Sequence, residues 1–277
     1  MAAALLFLQA TLPALAADTS RWDSGPHSAV RLIATDTITQ GDTPGLRAGI
    51  QIQLAAGWKI YWRYPGDSGV PPRFDFTHSE NVKQVVVAWP APHRFTEGGD
   101  TSIGYKGDVT FPLIVVPQDP GKPTMLRLDL DYAICEKMCV PATAKAELAL
   151  PGGTTAHDAA LAAAEASVPK AASVGEGGEP GALAIRGVKR EPGTPLPRVV
   201  VDVAVPEGAT DVDLFAEGPT ADWALPVPEP VAGAPAGHRL FAFKLDGLPP
   251  GASAQGAALR LTAVADGQAV EVVYHLD

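Results

Sequence analysis

Two cysteines are all that 277 residues contain. A chain this poor in cysteine is not held together by a disulfide framework, and at this length it can bury a core without one. Histidine is also sparse: the six are scattered, with no pair at ligand spacing, and a zinc site needs four ligands. There is no basic stripe. The formal charge is -10, with acidic and basic residues mixed along the chain, which argues against nucleic acid as a partner. Aromatics make up only 6 %. Past the first residues no run of apolar side chains is long enough to span a bilayer as a helix, so no membrane span is expected in the mature chain.

What is present begins with MAAALLFLQATLPALAAD. This is an apolar run ending in small residues, the pattern of a secretory signal, here over 1–17. No basic residue precedes the run. Gln9, Thr11 and Pro13 interrupt it, which suits a cleaved leader better than an anchor. Export would place the rest of the chain where disulfides persist. The remainder is long enough for two domains.

Glycine and proline are abundant, at 28 and 27 residues, and they punctuate short alternating runs. In LRAGIQIQL (46–54), Leu46, Ala48, Ile50, Ile52 and Leu54 alternate with other residues at a period of two. The same rhythm runs through 82–89, 109–116 and 126–134. The intervening segments PGDSGVPP, TEGGD, YKGD and PQDPGKP are turn signals. The expected fold class is all-β: an immunoglobulin-like sandwich over 18–150. Residues 151–180 are rich in Ala and Gly and read as a linker with one short helix. Thr154 or Thr155 is expected to cap that helix and Pro169 to end it. A second β domain is expected over 181–277, with strands near 198–206, 211–218, 238–245, 258–266 and 269–276. It holds no cysteine, and packing or docking is the plain reading of its role.

Both cysteines sit in DYAICEKMCVP (131–141). Leu126, Leu128, Leu130, Tyr132 and Ile134 form one face of the preceding strand; Cys135 falls on the other, polar face, and by odd-number parity so does Cys139. Extended chain would carry four residues over ~13 Å, whereas a disulfide needs Cα atoms within about 7 Å. A bonded pair therefore requires Glu136-Lys137-Met138 to turn, and Pro141 returns the chain to an extended path. So small a ring is a weak staple, because the gain grows with the logarithm of loop length. A surface ring is also open to thiolate attack. Redox exchange is the favoured reading. Two others stand beside it: an inert disulfide in an interaction domain, and a Cu(I) or copper-tolerance module in which Cys135, Met138 and Cys139 serve as soft ligands. Lys137 would favour a thiolate and Glu136 would oppose it. Trp58, Tyr61, Trp62 and Tyr64 cluster in sequence and read as sandwich-edge packing or, alternatively, as a docking surface.

DYAICEKMCVPATAKAELAL, with GWKIYWRYPGDSGVPPRFDF (57–76) and WPAPHRFTEGGDTSIGYKGDVTFPL (89–113), resembles the N-terminal periplasmic domain of the DsbD protein-disulfide reductase family, in its ScsB-like branch. The resemblance covers roughly residues 28–150. It implies an immunoglobulin-like domain in which Cys135 and Cys139 cycle between dithiol and disulfide, with Cys139 meeting the downstream partner and no cofactor of its own. It implies a membrane-embedded thiol reductase as electron donor, and periplasmic thioredoxin-like or disulfide isomerase proteins as acceptors. It also implies a cap over the sulfurs, for which Phe95 and Tyr105 are the aromatic candidates. The family's membrane and thioredoxin-like domains have no counterpart in this sequence, so the electrons are expected to come from another polypeptide. The C-x3-C spacing is tighter than in familiar members.

Overall fold

The computed structural model describes residues 17–39, 45–97, 99–176 and 181–277. The leader expected over 1–17 lies, but for Ala17, outside the described residues.

Among the described residues the first half forms eleven strands, the longer ones on alternating apolar residues. In chain order they are β1 (Asp23–Ser24), β2 (Ser28–Thr39), β3 (Gly45–Leu54), β4 (Lys59–Gly66), β5 (Arg73–Asp75), β6 (Val82–Val87), β7 (His93–Glu97), β8 (Asp100–Lys106), β9 (Val109–Pro117), β10 (Thr124–Cys135) and β11 (Cys139–Leu150). One sheet has the order β1-β2-β3-β9-β6; the other has β11-β10-β4-β8-β7, with β5 also on β10. The period-two sets face each other across the sandwich. Ile50 and Ile52 of β3, Phe111 and Leu113 of β9, and Leu126, Leu128 and Leu130 of β10 share one core. Burying each such side chain contributes about 1.5–3 kcal/mol.

The short helix α1 (Asp158–Ala166) is not a free linker element. Leu161 is fully buried and seats against Gly49, where a Cβ would stand 2.7 Å from the leucine methyl. Arg47 of β3 binds Asp158 at 2.8 Å and Glu165 at 2.7 Å. The expected threonine cap is absent: His157 precedes the helix with no side-chain cap, and the Thr154 hydroxyl donates to Asp18 instead.

The second half adds β12 (Lys170–Ala171), β13 (Ala184–Glu191), β14 (Arg198–Ala204), β15 (Val212–Glu217), β16 (Glu229–Val231), β17 (His238–Lys244), β18 (Ala258–Ala265) and β19 (Gln268–His275). Its sheets run β12-β19-β18-β15 and β13-β14-β17-β16. Val199, Val201, Leu214, Leu259 and Leu261 anchor a second core. Asp266-Gly267 closes the β18–β19 hairpin with both residues at positive φ, 43° and 83°, the two-residue turn that Asp-Gly favours. The sequence pattern passes over β13, because a bulge between Ile185 and Gly187 breaks its alternation.

The two sandwiches are joined by more than the chain. Phe215, Val227, Val264 and Ala269 of the second belong to the core of the first. Phe215 packs on Trp62 at a ring separation of 5.8 Å. Among the described residues no helix is long and apolar enough to cross a membrane.

Candidate functional site: a disulfide under a tyrosine

β10 and β11 are paired without a break from Thr124↔Leu150 to Cys135↔Cys139. The turn is Glu136-Lys137-Met138, closed by the Glu136 amide donating to the Met138 carbonyl at 3.3 Å. Directly opposed residues on an antiparallel pair are close, and here the Cα atoms are 4.1 Å apart with the sulfurs bonded. The register puts both cysteines on the face that carries Asp131 and Thr143, as parity predicts.

Parity predicts face but not cover. Cys135 is only 2 % exposed, although its face is polar further down the strand. β4 lies beside β10 at this point, pairing Lys59 with Cys135 and Ile60 with Ile134. On β4, Ile60 and Trp62 enter the core, and Tyr61 turns the other way to form a small cluster with Ala133 and Cys135. β11 is the edge strand, so Cys139 is left exposed. One cysteine is covered and the other is exposed.

The cover is chemically specific. The Tyr61 hydroxyl lies 2.9 Å from Cys135 Sγ and 3.1 Å from Cys139 Sγ. Behind its ring is Gly69 at φ 138°, where a Cβ would be 2.4 Å from the ring; a side chain there would evict the tyrosine. The adjoining turn is tied to β8: the Asp67 amide donates to the Thr101 carbonyl at 2.9 Å, and the Thr101 amide donates to Asp67 Oδ2 at 3.1 Å. A cavity of about 360 Å³ opens beside the sulfurs, walled by Lys59, Tyr61 and Ser68 and by Asp100 and Ser102 of β8. Lys59 is 6 % exposed. It is the register partner of Cys135 and lines the same cavity, and a cation near a sulfur favours the thiolate over the thiol.

The other sequence candidates scatter. Phe95 is half-buried on β7, opposite Ser102, and its ring centroid lies 5.8 Å from Lys59 Nζ and 5.4 Å from Lys106 Nζ. Tyr105 does not cap the sulfurs. It is a core side chain, edge-on to Phe111 at 5.4 Å, and its hydroxyl donates to the Pro90 carbonyl at 2.8 Å. The reason is parity on β8, which turns Tyr105 inward opposite Ile60. Burial pushes its phenol well above the ordinary range. Met138 projects from the turn, 77 % exposed. With the two sulfurs bonded to each other, a Cu(I) site at Cys135, Met138 and Cys139 would first require the disulfide to be reduced. The aromatic cluster divides: Trp58 stacks on His27 at 4.0 Å, Trp62 is in the core, Tyr64 reaches the second sandwich and Tyr61 attends the sulfurs.

Residues 29–151 match the family of the N-terminal domain of the thiol:disulfide interchange protein DsbD. The match runs from β2 to the end of β11, so the whole disulfide hairpin lies inside the DsbD-type segment. The crystal structure of the N-terminal periplasmic domain of ScsB from Proteus mirabilis is similar in fold. It superposes with a TM-score of 0.70 at 21 % identity, over 94 % of this chain and 98 % of that one. The likeness therefore reaches beyond the DsbD-type sandwich into the second. No curated protein sequence matches the chain.

Proposed function

We propose that this chain is a periplasmic thiol–disulfide exchange protein, a reductase component that relays electrons through Cys135 and Cys139. The observation that carries the reading is the asymmetry of the pair: an exposed Cys139 bonded to a buried Cys135, with one tyrosine hydroxyl against both sulfurs. Exchange proceeds by thiolate attack along a mixed disulfide, and exposure selects Cys139 as the sulfur attacked.

In the loading half, a donor thiolate bonds to Cys139 Sγ. The Cys135–Cys139 bond breaks and its electron pair leaves on Cys135 Sγ as a thiolate, with the Tyr61 hydroxyl in place to donate to it. The donor's second thiolate then attacks its own mixed-disulfide sulfur and releases Cys139. The donor dithiol is oxidised by two electrons and this pair is reduced. In the unloading half, the Cys139 thiolate attacks an acceptor disulfide and Cys135 resolves the mixed disulfide, which reforms the bond seen here. Nothing in these steps calls on a cofactor.

A membrane-embedded thiol reductase fits the role of donor, and periplasmic thioredoxin-like or disulfide isomerase proteins fit that of acceptor. The support is the DsbD-type segment and the fold shared with a periplasmic ScsB domain. We assign the exchange chemistry to residues 18–150, with 151–180 as the connection and 181–277 as the second β domain, and Phe95, whose ring lies 5.8 Å from Lys59 Nζ, as the cap-loop aromatic.

Trapping in cells tests this. Cys135→Ser leaves Cys139 without its resolving partner and is expected to accumulate mixed disulfides with other proteins, visible as thiol-sensitive bands on non-reducing gels. Cys139→Ser is expected to accumulate few. If neither variant traps any protein, the exchange reading fails.

A further inference from the structure

Two arginines of the first sandwich are held by carboxylates of the second. Arg63 of β4 donates from Nε to both oxygens of Glu217 at 2.8 and 2.9 Å, and from Nη2 to Glu271. Arg94 of β7 donates to Asp213 Oδ2 at 2.9 Å and Oδ1 at 2.6 Å, to Glu229 at 2.9 Å and to the Pro228 carbonyl at 2.6 Å. The Arg63–Glu217 and Arg94–Asp213 contacts are largely out of solvent, with each side chain between 14 and 19 % exposed. The Arg94–Asp213 pair is forked, two N–H groups on two oxygens, which fixes direction as well as distance, and Arg63 spans two carboxylates, Glu217 and Glu271. These are therefore defined anchors and not a loose charge contact.

What they anchor is the redox site. Arg63 stands two residues from Tyr61 on the same strand. Arg94 precedes Phe95 on β7 and pairs with Ile103 of β8. The neighbouring β8 residues do the rest: Ser102 and Asp100 wall the sulfur cavity, and Thr101 ties the Asp67 turn that backs Tyr61. Both routes from the second sandwich end on the group that covers Cys135.

We propose that the second sandwich is a brace for the redox site, with Arg63 and Arg94 as positioning residues that hold Tyr61 and the β7–β8 wall against the disulfide. The brace keeps Cys135 covered and leaves Cys139 as the sulfur open to attack. This rests on the exchange chemistry proposed above, but its consequence is readable with a small thiol alone.

The test uses the full chain carrying Asp213→Asn and Glu217→Gln, both in the second sandwich. Removing one partner of a desolvated pair leaves an unbalanced charge and favours separation. The oxidised protein is treated with reduced glutathione, quenched with acid, alkylated and mapped by mass spectrometry. In the parent, glutathione is expected on Cys139 at least tenfold over Cys135. In the double variant the Cys135 share is expected to rise at least threefold, together with the rate of disulfide opening. The conservative pair Asp213→Glu with Glu217→Asp should fall between parent and neutral variant. Hydrogen exchange at β15 reports whether the interface has opened and whether both cores remain protected. Should the neutral pair leave it closed, Arg94→Glu sets like charges against Asp213 and Glu229 and forces it. An open interface with the parent's cysteine ratio and rate overturns the brace. A shifted ratio with no protein trapped in cells would instead sink the exchange role and leave the brace standing.

Discussion

Tyr61 holds one hydroxyl within 2.9 Å of Cys135 Sγ and 3.1 Å of Cys139 Sγ. A bonded sulfur is a poor acceptor, whereas a thiolate is a charged one, so this contact strengthens when the disulfide opens. The hydroxyl thus stabilises the reduced form more than the oxidised form. Tyr61→Phe is expected to make the disulfide harder to reduce. A hydrogen bond to a charged group contributes about 1.5–3 kcal/mol, and ~1.4 kcal/mol corresponds to ~30 mV for a two-electron couple. The midpoint should therefore move to more negative potential by roughly 30 mV or more. Thiol trapping across a series of glutathione ratios measures it, and an unmoved midpoint removes Tyr61 from the redox chemistry.

Lys59 offers a second route to the same thiolate. It is paired in register with Cys135, and its side chain is buried at the cavity. A cation next to a thiol favours the thiolate, which is the reactive form. Lys59→Gln should therefore slow alkylation of the reduced Cys135 thiol at neutral pH. Iodoacetamide alkylation of a Cys139→Ser background, followed against pH, isolates that thiol. An identical profile in both proteins means the ammonium does not reach it.

The hairpin was the most legible part of the molecule. Unbroken alternation from Leu126 to Ile134 puts both cysteines on one face, and a bonded pair requires the three residues between them to turn; the structure has both. What alternation cannot supply is the neighbour. Whether Cys135 is covered depends on β4 arriving beside β10, a contact between segments some seventy residues apart. Strand parity within YWRY would have separated Tyr61 from Trp62 and Tyr64, but only the partner strand says which face meets sulfur. Tyr105 shows the reverse error: its position in the segment suggested a cap, and its parity on β8 makes it core. Arg63, Arg94 and their carboxylates were invisible for a similar reason. Isolated charges on two distant strands carry no periodic signal, and only docking of the sandwiches brings them together.

Gly69 makes the tyrosine's position testable from behind. At φ 138°, with a Cβ site 2.4 Å from the ring of Tyr61, alanine meets both backbone strain and a clash. Strained backbone alone costs on the order of 1–3 kcal/mol, and the clash adds to it. Gly107 is the control: its φ is 79° and a Cβ there meets nothing within 4 Å. Gly69→Ala should therefore lower the denaturation midpoint more than Gly107→Ala. It should also shift the redox midpoint in the direction of Tyr61→Phe, which Gly107→Ala should not. Equal effects of the two substitutions on both readouts would mean that the tyrosine is not held by this contact.

Tyr64 links the interface to pH. Its hydroxyl donates to the Leu225 carbonyl of the second sandwich. Burial, reinforced by the charges of Asp67 and Glu217, pushes its phenol up to about 12, against about 10 in an unfolded chain. Between those values the folded state holds a proton that the unfolded state has released, so stability falls as pH rises through the window and is fully present below about 10. Tyr105 and Tyr132 are also raised by burial and share this alkaline limb. Tyr64→Phe is accordingly expected to make the decline between about pH 10 and 12 shallower without abolishing it. At neutral pH it should cost about 1 kcal/mol for the lost hydrogen bond. Urea denaturation at stepped pH measures both. A variant that is less stable at neutral pH yet keeps the parent's full alkaline slope would show that Tyr64 bridges the sandwiches without carrying their pH dependence.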